Sequence, residues 1–464
     1  MTHETGIQDS ALHSLRAVFH GELIRPGESG YNDARTIWNG MIDKRPALIA
    51  RCRGVADVIE AVRFARSRSL STAVRGGGHN VAGNALCEGG VVIDLSLMKA
   101  VHVDSRARTA RAEGGTTWGE FDRETQVFGL ATTGGLITST GIAGLTLGGG
   151  IGWLMREHGL TCDNLLSADV VTADGRVVTA SAAENPELLW GLKGGGGNFG
   201  IVTSFEYRLH PVSMVLGGML IHPAARAKEL LRFYRDFVKT APDTLTTMLV
   251  FLSGPPAPFL PPELYGQPLV AIAVCCSDIG SDGERAVCAL KEFGPPAVDL
   301  VGPMPYTALQ SLHDSSAPAG FRAYWKSEYL ADLSDQAIET LVTCASGMPS
   351  PMTQIHIQHL EGAVSRVGEL ETAYSQRSAR YVTNIVSLWP DPAEDEAQID
   401  WTRCSWESLR PCGTGGVYVN FMGEEGDERV RAAYGAKAWA RLSALKKVWD
   451  PENFFRLNQN INPD

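Results

Sequence analysis

Arg75, His79 and Asn80 surround a run of three glycines in VRGGGHNVAGNAL, residues 74–86. Glycine leaves the backbone bare, so that a ligand can approach its N–H groups closely. Successive N–H groups in such loops form concave sites for phosphate oxygens, and Arg75 adds a positive charge. The stretch therefore favours a loop that holds a long ligand with a diphosphate in its middle. Ordinary glycine turns are the alternative.

Glycine is also clustered elsewhere, mostly in the first 200 residues, at 114–115, 134–135, 148–152, 191–200 and 413–416. Gly195, Gly197 and Gly200 formally match GxGxxG, the dinucleotide fingerprint. That fingerprint needs a strand before the glycines and a helix after them. Here a predicted helix precedes them and an alternating strand follows, so we reject this motif. Several dispersed loops that converge on one ligand remain the better interpretation.

The segment YWKSEYL, residues 324–330, alternates as a strand does. Tyr324, Lys326 and Glu328 share one face of such a strand, because side chains repeat every second residue. A lysine and a glutamate side by side on a buried face predict an ion pair that orients or deprotonates a substrate. A solvated salt bridge on an exposed strand is the alternative.

A second alternating segment, QIHIQHLEG, covers residues 354–362. Gln354, His356 and Gln358 share one face, and His359 lies on the other. The two histidines are therefore not placed to share a metal ion. The polar row either lines a cavity or faces solvent.

Composition limits the class of protein. The chain has 464 residues, 44% of them hydrophobic and 20% charged, which is ordinary for a globular protein of two or three domains. A formal net charge of −11 argues against nucleic acid or an anionic membrane as partner. The nine cysteines are scattered without a CxxC pair, which favours reduced thiols. The N-terminus lacks the features of a signal peptide, so we expect a soluble, cytoplasmic protein of unknown oligomeric state.

The elements that position these residues form two regions. In the first, the patterns predict a βαβ unit over 46–77, a strand at 89–98, a hairpin at 168–181, a helix at 184–194 and a strand at 200–212. In the second, they predict strands at 246–253, 268–276, 322–329, 354–361 and 380–388, and helices at 224–240, 280–293, 335–346 and 430–449. The chain is thus an α+β protein with an antiparallel sheet in its second domain.

Several motifs carry a family resemblance, in order and nearly from end to end. They are RGGGHNVAG (75–83), VVIDLSLM (91–98), the glycine-rich stretch at 135–175, LLWGLKGGGGNFGIVTSFEY (188–207), YVNF (418–421) and DPENFFRLNQNINP (450–463). The sequence resembles the berberine bridge enzyme-like flavoproteins, which have the vanillyl-alcohol oxidase type of FAD-binding fold. Within that family, the sequence resembles the bacterial 6-hydroxynicotine oxidase branch. The resemblance implies an FAD-binding domain at 1–212, a substrate domain at 213–440 and a C-terminal segment, 441–464, that returns to the first domain.

The resemblance further implies FAD, wrapped at its pyrophosphate by the opening loop and joined through its 8α-methyl to His79. A neutral imidazole can attack the electrophilic form of the flavin; a histidine merely hydrogen-bonded to FAD is the alternative. The implied cofactor-binding residues are Arg75, Gly76, Gly77, Gly78, His79, Asn80, Gly135, Ser139, Thr140, Gly141, Gly144, Gly149, Asn198, Gly200, Ile201, Val202, Asn458 and Asn460.

Four positions depart from the family pattern. Ile137 stands where many members carry a cysteine that forms a second flavin bond, so a single bond through His79 is predicted. Thr140 stands where oxidases often have valine, and Leu145 replaces a histidine near the ribityl chain. Phe421 replaces a tyrosine that serves as the base in many members.

We therefore expect an FAD-dependent oxidase that removes hydride from a carbon bearing nitrogen or oxygen and reduces O2 to H2O2. The predicted catalytic residues are Lys326, Glu328, Tyr418 and Asn420, the last two sharing a face of a YVNF strand. As a base, Tyr418 would need a cationic neighbour, because an ordinary tyrosine has a pKa near 10. The Lys326 and Glu328 pair favours an amine substrate. A sugar or secondary-metabolite alcohol oxidase, a dehydrogenase with another acceptor and a flavin carrier without turnover remain open.

Overall fold

A computed structural model describes residues 7–463. Its sheets are grouped in two units. The first, the N-terminal unit, contains a four-stranded sheet, a five-stranded sheet and a two-stranded sheet. Their strands are β1 Glu22–Ile24, β2 Leu48–Arg51, β3 Thr72–Arg75, β4 Val91–Asp94, β5 Val101–Asp104, β6 Thr109–Glu113, β7 Leu130–Ala131, β8 Leu165–Val171, β9 Val177–Ser181, β10 Ile201–Arg208 and β11 His210–Pro211. The strand orders are β1-β2-β4-β3, β5-β6-β10-β8-β9 and β11-β7.

The helices of this unit are α1 Asp9–Arg16, α2 Tyr31–Ala34, α3 Val55–Arg66, α4 Trp118–Gln126, α5 Ile142–Leu147, α6 Met155–His158 and α7 Pro186–Leu192. Helix α3 buries one apolar face, including Val58, Val62 and Ala65, against the first sheet. Strands β2 and β3 both pair parallel to β4, which lies between them. The predicted βαβ unit is therefore present, with one strand inserted.

The second, central unit is one antiparallel sheet of eight strands. These are β12 Met214–Pro223, β13 Leu245–Ser253, β14 Pro268–Cys276, β15 Val298–Asp299, β16 Gly302–Pro305, β17 Arg322–Leu330, β18 Gln354–His359 and β19 Tyr381–Trp389. The order is β15-β12-β14-β13-β18-β19-β17, and β16 also pairs with β12. The later helices are α8 Ala227–Phe237, α9 Ser281–Lys291, α10 Tyr306–Gln310, α11 Asp335–Ser346, α12 Ala363–Arg366, α13 Asp395–Leu409 and α14 Asp427–Trp449.

Helices α8, α11 and α13 cover one face of the central sheet. Leu230, Ile338 and Leu409 on these helices share a buried core with Ile357 and Ile385 on the strands. The other face of β13, β17, β18 and β19 is turned towards the glycine loops of the N-terminal unit. This arrangement leaves one face of the sheet free to form the wall of a site between the two units.

The chain returns to the N-terminal unit earlier than the predicted residue 441. Val417, Tyr434, Leu442 and Ile461 belong to the same buried core as Phe205 of β10. Residues from Val417 onwards therefore pack with the first unit, whereas the predicted boundary cuts through α14. The change of direction inside α14 comes at Gly435, whose φ of +70° interrupts the helix.

Most predicted elements are confirmed, including the hairpin of β8 and β9 and the five strands of the second region. Strand β12 and helix α13 have no counterpart among the predictions. Within residues 7–463, no helix combines the length and the apolar character needed to cross a membrane.

Candidate active site

A cavity of about 340 Å³ lies between the glycine loops and the free face of the central sheet. Its lower wall consists largely of backbone, at Gly76, Gly77, Gly78, Gly135, Gly141, Gly144, Gly148, Gly196, Gly197 and Gly200. Its upper wall consists of side chains from β13, β17, β18 and β19. One wall of the cavity therefore lets a ligand contact the backbone closely, and the other wall can distinguish ligands by their shape.

Two of the loops touch each other at Gly77 and Gly141. A Cβ added at Gly77 would lie 2.3 Å from the Gly141 nitrogen, and one at Gly141 would lie 2.4 Å from the Gly77 nitrogen. Glycine is thus required at both positions to let the loops lie side by side. By contrast, a Cβ at Gly144 or Gly197 would meet no atom within 4 Å, so these residues face open space. A substituent there would project where a ligand can lie.

His79 lies in the cavity wall beside the loop that contains Ser139, Thr140 and Gly141. Its Nε2 lies 2.9 Å from Ser139 Oγ and its Nδ1 lies 3.5 Å from Thr140 Oγ1. The ring stacks on Trp38 with 5.4 Å between centroids. Burial lowers the pKa of His79 to about 4, so the imidazole is neutral at pH 7 and keeps a free electron pair.

The C-terminal tail fixes the loop at 195–200. Asn198 donates from Nδ2 to the carbonyl oxygens of Gly195 (2.9 Å) and Gln459 (3.2 Å) and accepts from the N–H of Ile461 (3.0 Å). Lys446, fully buried, donates to the carbonyl oxygen of Asn198 at 2.7 Å and to Asp450 at 2.7 Å. The tail thereby holds the glycine loop against the cavity.

A polar row from two neighbouring strands faces the cavity in the upper wall. His356 on β18 lies opposite Asn384 on β19, and Gln354 and Gln358 continue the row along β18. His356 Nε2 lies 2.7 Å from Gln354 Oε1, and burial lowers the pKa of His356 to about 3. Gln358 Oε1, Asn384 Oδ1 and Trp325 Nε1 are buried with no hydrogen-bond partner among residues 7–463. Buried polar groups normally have a partner, and these three belong to residues that line the space that a ligand would fill.

An aromatic wall adjoins this row. Trp325 contacts Trp38 edge to face at 5.4 Å between centroids and Phe421 at 5.8 Å. Phe421 in turn contacts Tyr418 at 4.8 Å. All four rings line the cavity, and edge-to-face packing of this kind holds them in fixed orientations.

The comparisons with known proteins agree with this geometry. Residues 46–181 match the FAD binding domain family, and residues 417–462 match the berberine and berberine like family. An FAD-linked oxidoreductase of Dictyostelium discoideum is 31% identical over 96% of this chain and 95% of its own length. The (R)-6-hydroxynicotine oxidase of Paenarthrobacter nicotinovorans is 32% identical over 96% of this chain and 97% of its own length. The chain belongs to the berberine bridge enzyme-like family of FAD-linked oxidoreductases.

A solved structure supports the same membership in three dimensions. The crystal structure of 6-hydroxy-D-nicotine oxidase from Arthrobacter nicotinovorans superposes with a TM-score of 0.87 at 30% identity, covering 96% of this chain and 98% of that one. The protein is thus an FAD-binding oxidoreductase of the α+β, vanillyl-alcohol oxidase type. The predicted fold and family are confirmed.

Thirteen of the predicted cofactor-binding residues of this berberine bridge enzyme-like protein line the cavity. They are Gly76, Gly77, Gly78, His79, Asn80, Gly135, Thr140, Gly141, Gly144, Gly200, Ile201, Val202 and Asn458. The other five, Arg75, Ser139, Gly149, Asn198 and Asn460, are not among its lining residues. Of these, Arg75 donates to the carbonyl oxygen of Ala34 at 2.6 Å and supports the turn at Gly78, whose φ is +71°.

The prediction that Lys326 and Glu328 form an ion pair in the substrate site is wrong. Lys326 Nζ binds Glu425 at 2.9 Å, and Glu328 binds Arg429 at 3.1 Å. Trp406 of α13 contacts both Lys326 and Glu328. Both side chains lie on the helix-covered face of β17, because Trp325 of the same strand faces the cavity. Strand alternation identified correctly which residues share a face, but it could not tell which face borders the site.

The prediction that YVNF forms a strand is also wrong, although the two catalytic residues predicted there, Tyr418 and Asn420, line the cavity. Residues Val419–Phe421 form a 3₁₀ turn. Tyr418 Oη accepts from the N–H of Gly150 at 2.8 Å and from Asn420 Nδ2 at 2.9 Å. Burial raises the pKa of Tyr418 to about 12, so it keeps its proton at neutral pH. These contacts make Tyr418 a support for the glycine loop.

Three cavity residues, Trp38, Trp325 and Asn384, were not among the predicted site residues. A signal existed for Asn384, since an asparagine interrupts an otherwise largely apolar strand, YVTNIVSLW. A buried amide in such a strand needs a partner, and a ligand can supply it. Trp38 lies in a loop without a recognisable motif and carries no such signal.

Proposed function

We propose that this berberine bridge enzyme-like protein holds FAD through one covalent bond to His79 and oxidises a small organic molecule, with O2 as the electron acceptor. The observation that carries this proposal is the position of His79, neutral and beside Ser139 and Thr140 in the wall of the cavity. Ile137 lines the cavity where a second anchor would stand, and no cysteine is among the described lining residues.

The residues of the cavity fit FAD. Open space in front of Gly144 and Gly197 leaves room for a phosphate group to approach backbone N–H groups. The buried Oδ1 of Asn458 has no hydrogen-bond partner in the described part of the chain, and Asn458 lines the same wall. When bound, FAD supplies a two-electron acceptor for hydride removed from carbon.

The side chains of the upper wall orient the substrate. His356 must donate from Nε2 to the oxygen of Gln354, since that oxygen can only accept. Its Nδ1 therefore carries the electron pair that can accept a hydrogen bond from a substrate hydroxyl. In the overall oxidation of an alcohol, one C–H bond and the O–H bond of the carbinol group break and its carbon becomes a carbonyl carbon. Both hydrogens end on O2, which becomes H2O2.

The covalent bond is tested by acid precipitation of the purified protein. We expect a yellow wild-type pellet and a colourless His79→Ala pellet with FAD in the supernatant. His356→Ala is the matched control, because it removes another neutral cavity histidine and should leave the pellet yellow. A yellow His79→Ala pellet would contradict the assignment of His79.

Oxidase activity is tested by mixing the reduced protein with air-saturated buffer. We expect rapid return of the yellow colour with one H2O2 formed for each FAD. Slow reoxidation in air together with rapid reoxidation by a quinone or dye would contradict the oxidase and favour a dehydrogenase.

A further inference from the structure

Asp314 of the central unit contacts Thr138, in a loop of the N-terminal unit. Its Oδ1 accepts from the Thr138 N–H at 2.8 Å, and its Oδ2 accepts from the Thr138 hydroxyl at 2.6 Å. Asp314 is the first residue of a 3₁₀ turn, Asp314–Ser316, that follows α10. Both carboxylate oxygens are used, so the contact fixes the orientation of Thr138 as well as its position.

The same loop is held from its other side by the start of α4. The N–H of Gly119 donates to the carbonyl oxygen of Thr138 at 2.8 Å, and the N–H of Trp118 donates to that of Thr140 at 2.9 Å. Thr138 is therefore bound by elements of both units. The residues that follow it, Ser139 and Thr140, take their places from these contacts.

Ser139 and Thr140 are the two residues whose hydroxyls lie beside the ring nitrogens of His79. Nε2 lies 2.9 Å from Ser139 Oγ, and Nδ1 lies 3.5 Å from Thr140 Oγ1. Trp38 stacks on the ring. Hydroxyls in fixed positions orient an imidazole, as outer partners do for histidines that bind metals. The carboxylate of Asp314 thus acts on His79 through the loop.

The charge of Asp314 also reaches the ring of His79. Burial lowers the pKa of His79 to about 4, and the negative charge of Asp314 opposes this shift in pKa. When a neutral ring nitrogen bonds to carbon, the ring is positively charged until the other nitrogen loses its proton. A fixed negative charge in a buried site stabilises such a developing positive charge. Asp314 therefore favours a bond from His79 to carbon as well as holding the neighbours of the ring.

We propose that Asp314 is a positioning residue for the covalent attachment of FAD: it holds the loop that orients His79, and its charge favours the bond that His79 forms. This inference rests on the proposed function and names the residue that prepares the flavin anchor. In the overall attachment, one C–H bond of the 8α-methyl and the imidazole N–H bond break, and an N–C bond forms. The two hydrogens reduce the flavin ring, and O2 then takes them up as H2O2.

The test separates binding of FAD from bond formation. The full chain, produced in a riboflavin-starved host, is mixed with FAD, and attachment is followed as flavin retained in the acid-precipitated protein. The dependence of the rate on FAD concentration gives the affinity before attachment and the limiting rate of bond formation. Asp314→Asn keeps the size of the side chain and an accepting oxygen but removes the charge, so its limiting rate should fall at least about tenfold, with an FAD affinity within about twofold of the wild type's. Asp314→Ala also removes both hydrogen bonds and should be about a hundredfold slower.

Substitutions of Thr138 test the same contact from the other side. Thr138→Val removes the hydroxyl that donates to Asp314 and should slow attachment about three- to tenfold. Thr138→Ser keeps that hydroxyl and should react at the wild-type rate. Asp391→Asn is the matched control, because Asp391 is an exposed acid after β19 that accepts a backbone N–H, from Ala393 at 2.9 Å, and its replacement should change neither quantity.

A wild-type limiting rate in either Asp314 variant would overturn the proposal. So would a parallel loss of FAD affinity and unfolding temperature in Asp314→Asn, because that pattern indicates a weakened fold. If Asp314→Ala does not fold, equal rates for Thr138→Val and Thr138→Ser would overturn it as well. Failure of the proposed function is distinct: a colourless wild-type pellet would remove the covalent bond itself, whereas yellow pellets formed equally fast by all variants would remove only the role of Asp314.

Discussion

Asp122 provides a pH-dependent prediction at the junction of the two units. It lies on α4 with an exposure of 1%, and its Oδ2 accepts from Gln310 Nε2 on α10 at 2.9 Å. The same nitrogen lies 3.2 Å from the carbonyl oxygen of Gly135, in a loop that lines the cavity. The other carboxylate oxygen, Oδ1, is buried and has no hydrogen-bond partner among the residues that the structure describes. Replacement by asparagine keeps an acceptor for Gln310 and removes the ionisable group.

The size of the expected change in the free energy of unfolding follows from the pKa of the buried carboxyl group. Burial raises the pKa of Asp122 from its ordinary 3.8 to about 7. As the pH rises through this interval, the folded protein keeps a proton that the unfolded chain has released, so the free energy of unfolding decreases. The interval is roughly three pH units, which corresponds to ~4 kcal/mol at ~1.4 kcal/mol per unit. Above about pH 7 both states are ionised, and the loss is complete.

Thermal unfolding of wild type and Asp122→Asn between pH 4 and pH 8 measures this difference. We expect the two proteins to have similar unfolding temperatures near pH 4. At pH 8, the unfolding temperature of Asp122→Asn should be several degrees higher than that of the wild type. Glu124→Gln is the control, since Glu124 is an exposed acid on the same helix and its replacement should leave the pH dependence unchanged. Parallel curves for wild type and Asp122→Asn, or a variant less stable at pH 8, would refute the reasoning.

Two further predictions concern the supports of the glycine loops. Lys446→Met leaves Asp450 as a buried unpaired charge and should cost about 3–5 kcal/mol in stability, measured by urea unfolding together with loss of FAD on gel filtration. The exposed neighbour substitution Lys447→Met should change neither. Tyr418→Phe removes the acceptor of the Gly150 N–H and should cost about 1–3 kcal/mol. Unchanged stability with a slower anaerobic flavin reduction would instead assign Tyr418 to catalysis.

The part of the site that is made of backbone could be predicted from the sequence. A clustered glycine marks backbone that another group can approach closely, and this meaning is visible in the residue type alone, as at Gly77, Gly141 and Gly144. The role of His79, which follows the first glycine run directly, was predicted from the family resemblance. Thus most residues predicted to bind the cofactor lie in the wall of the cavity.

The part made of side chains on the sheet could be predicted only in relative terms. The alternation of side chains along a strand assigned Trp325 and Lys326 to opposite faces of β17, and Gln354 and His356 to the same face of β18. Which face borders the cavity depends on where α13 packs, and that helix was not predicted. A buried polar residue such as Lys326 therefore looks the same in sequence whether a ligand or a helix covers it.

The predicted boundary at residue 441, where the chain rejoins the N-terminal unit, lies too late in the sequence for a similar reason. The motif at 450–463 identifies where the tail meets the loop at 195–200, whereas the packing of Val417 with the N-terminal unit depends on contacts between distant segments. Composition does not change at that point, so no local signal marks the boundary.

The contact between Gly77 and Gly141 also bears on how members of such a family diverge. Any larger residue at either position would push apart two loops that meet backbone to backbone, so the lower wall tolerates little variation. The upper wall belongs to separate strands and can exchange side chains without disturbing those loops. Substrate specificity can therefore change through substitutions on β18 and β19 while the glycine loops of the lower wall stay the same.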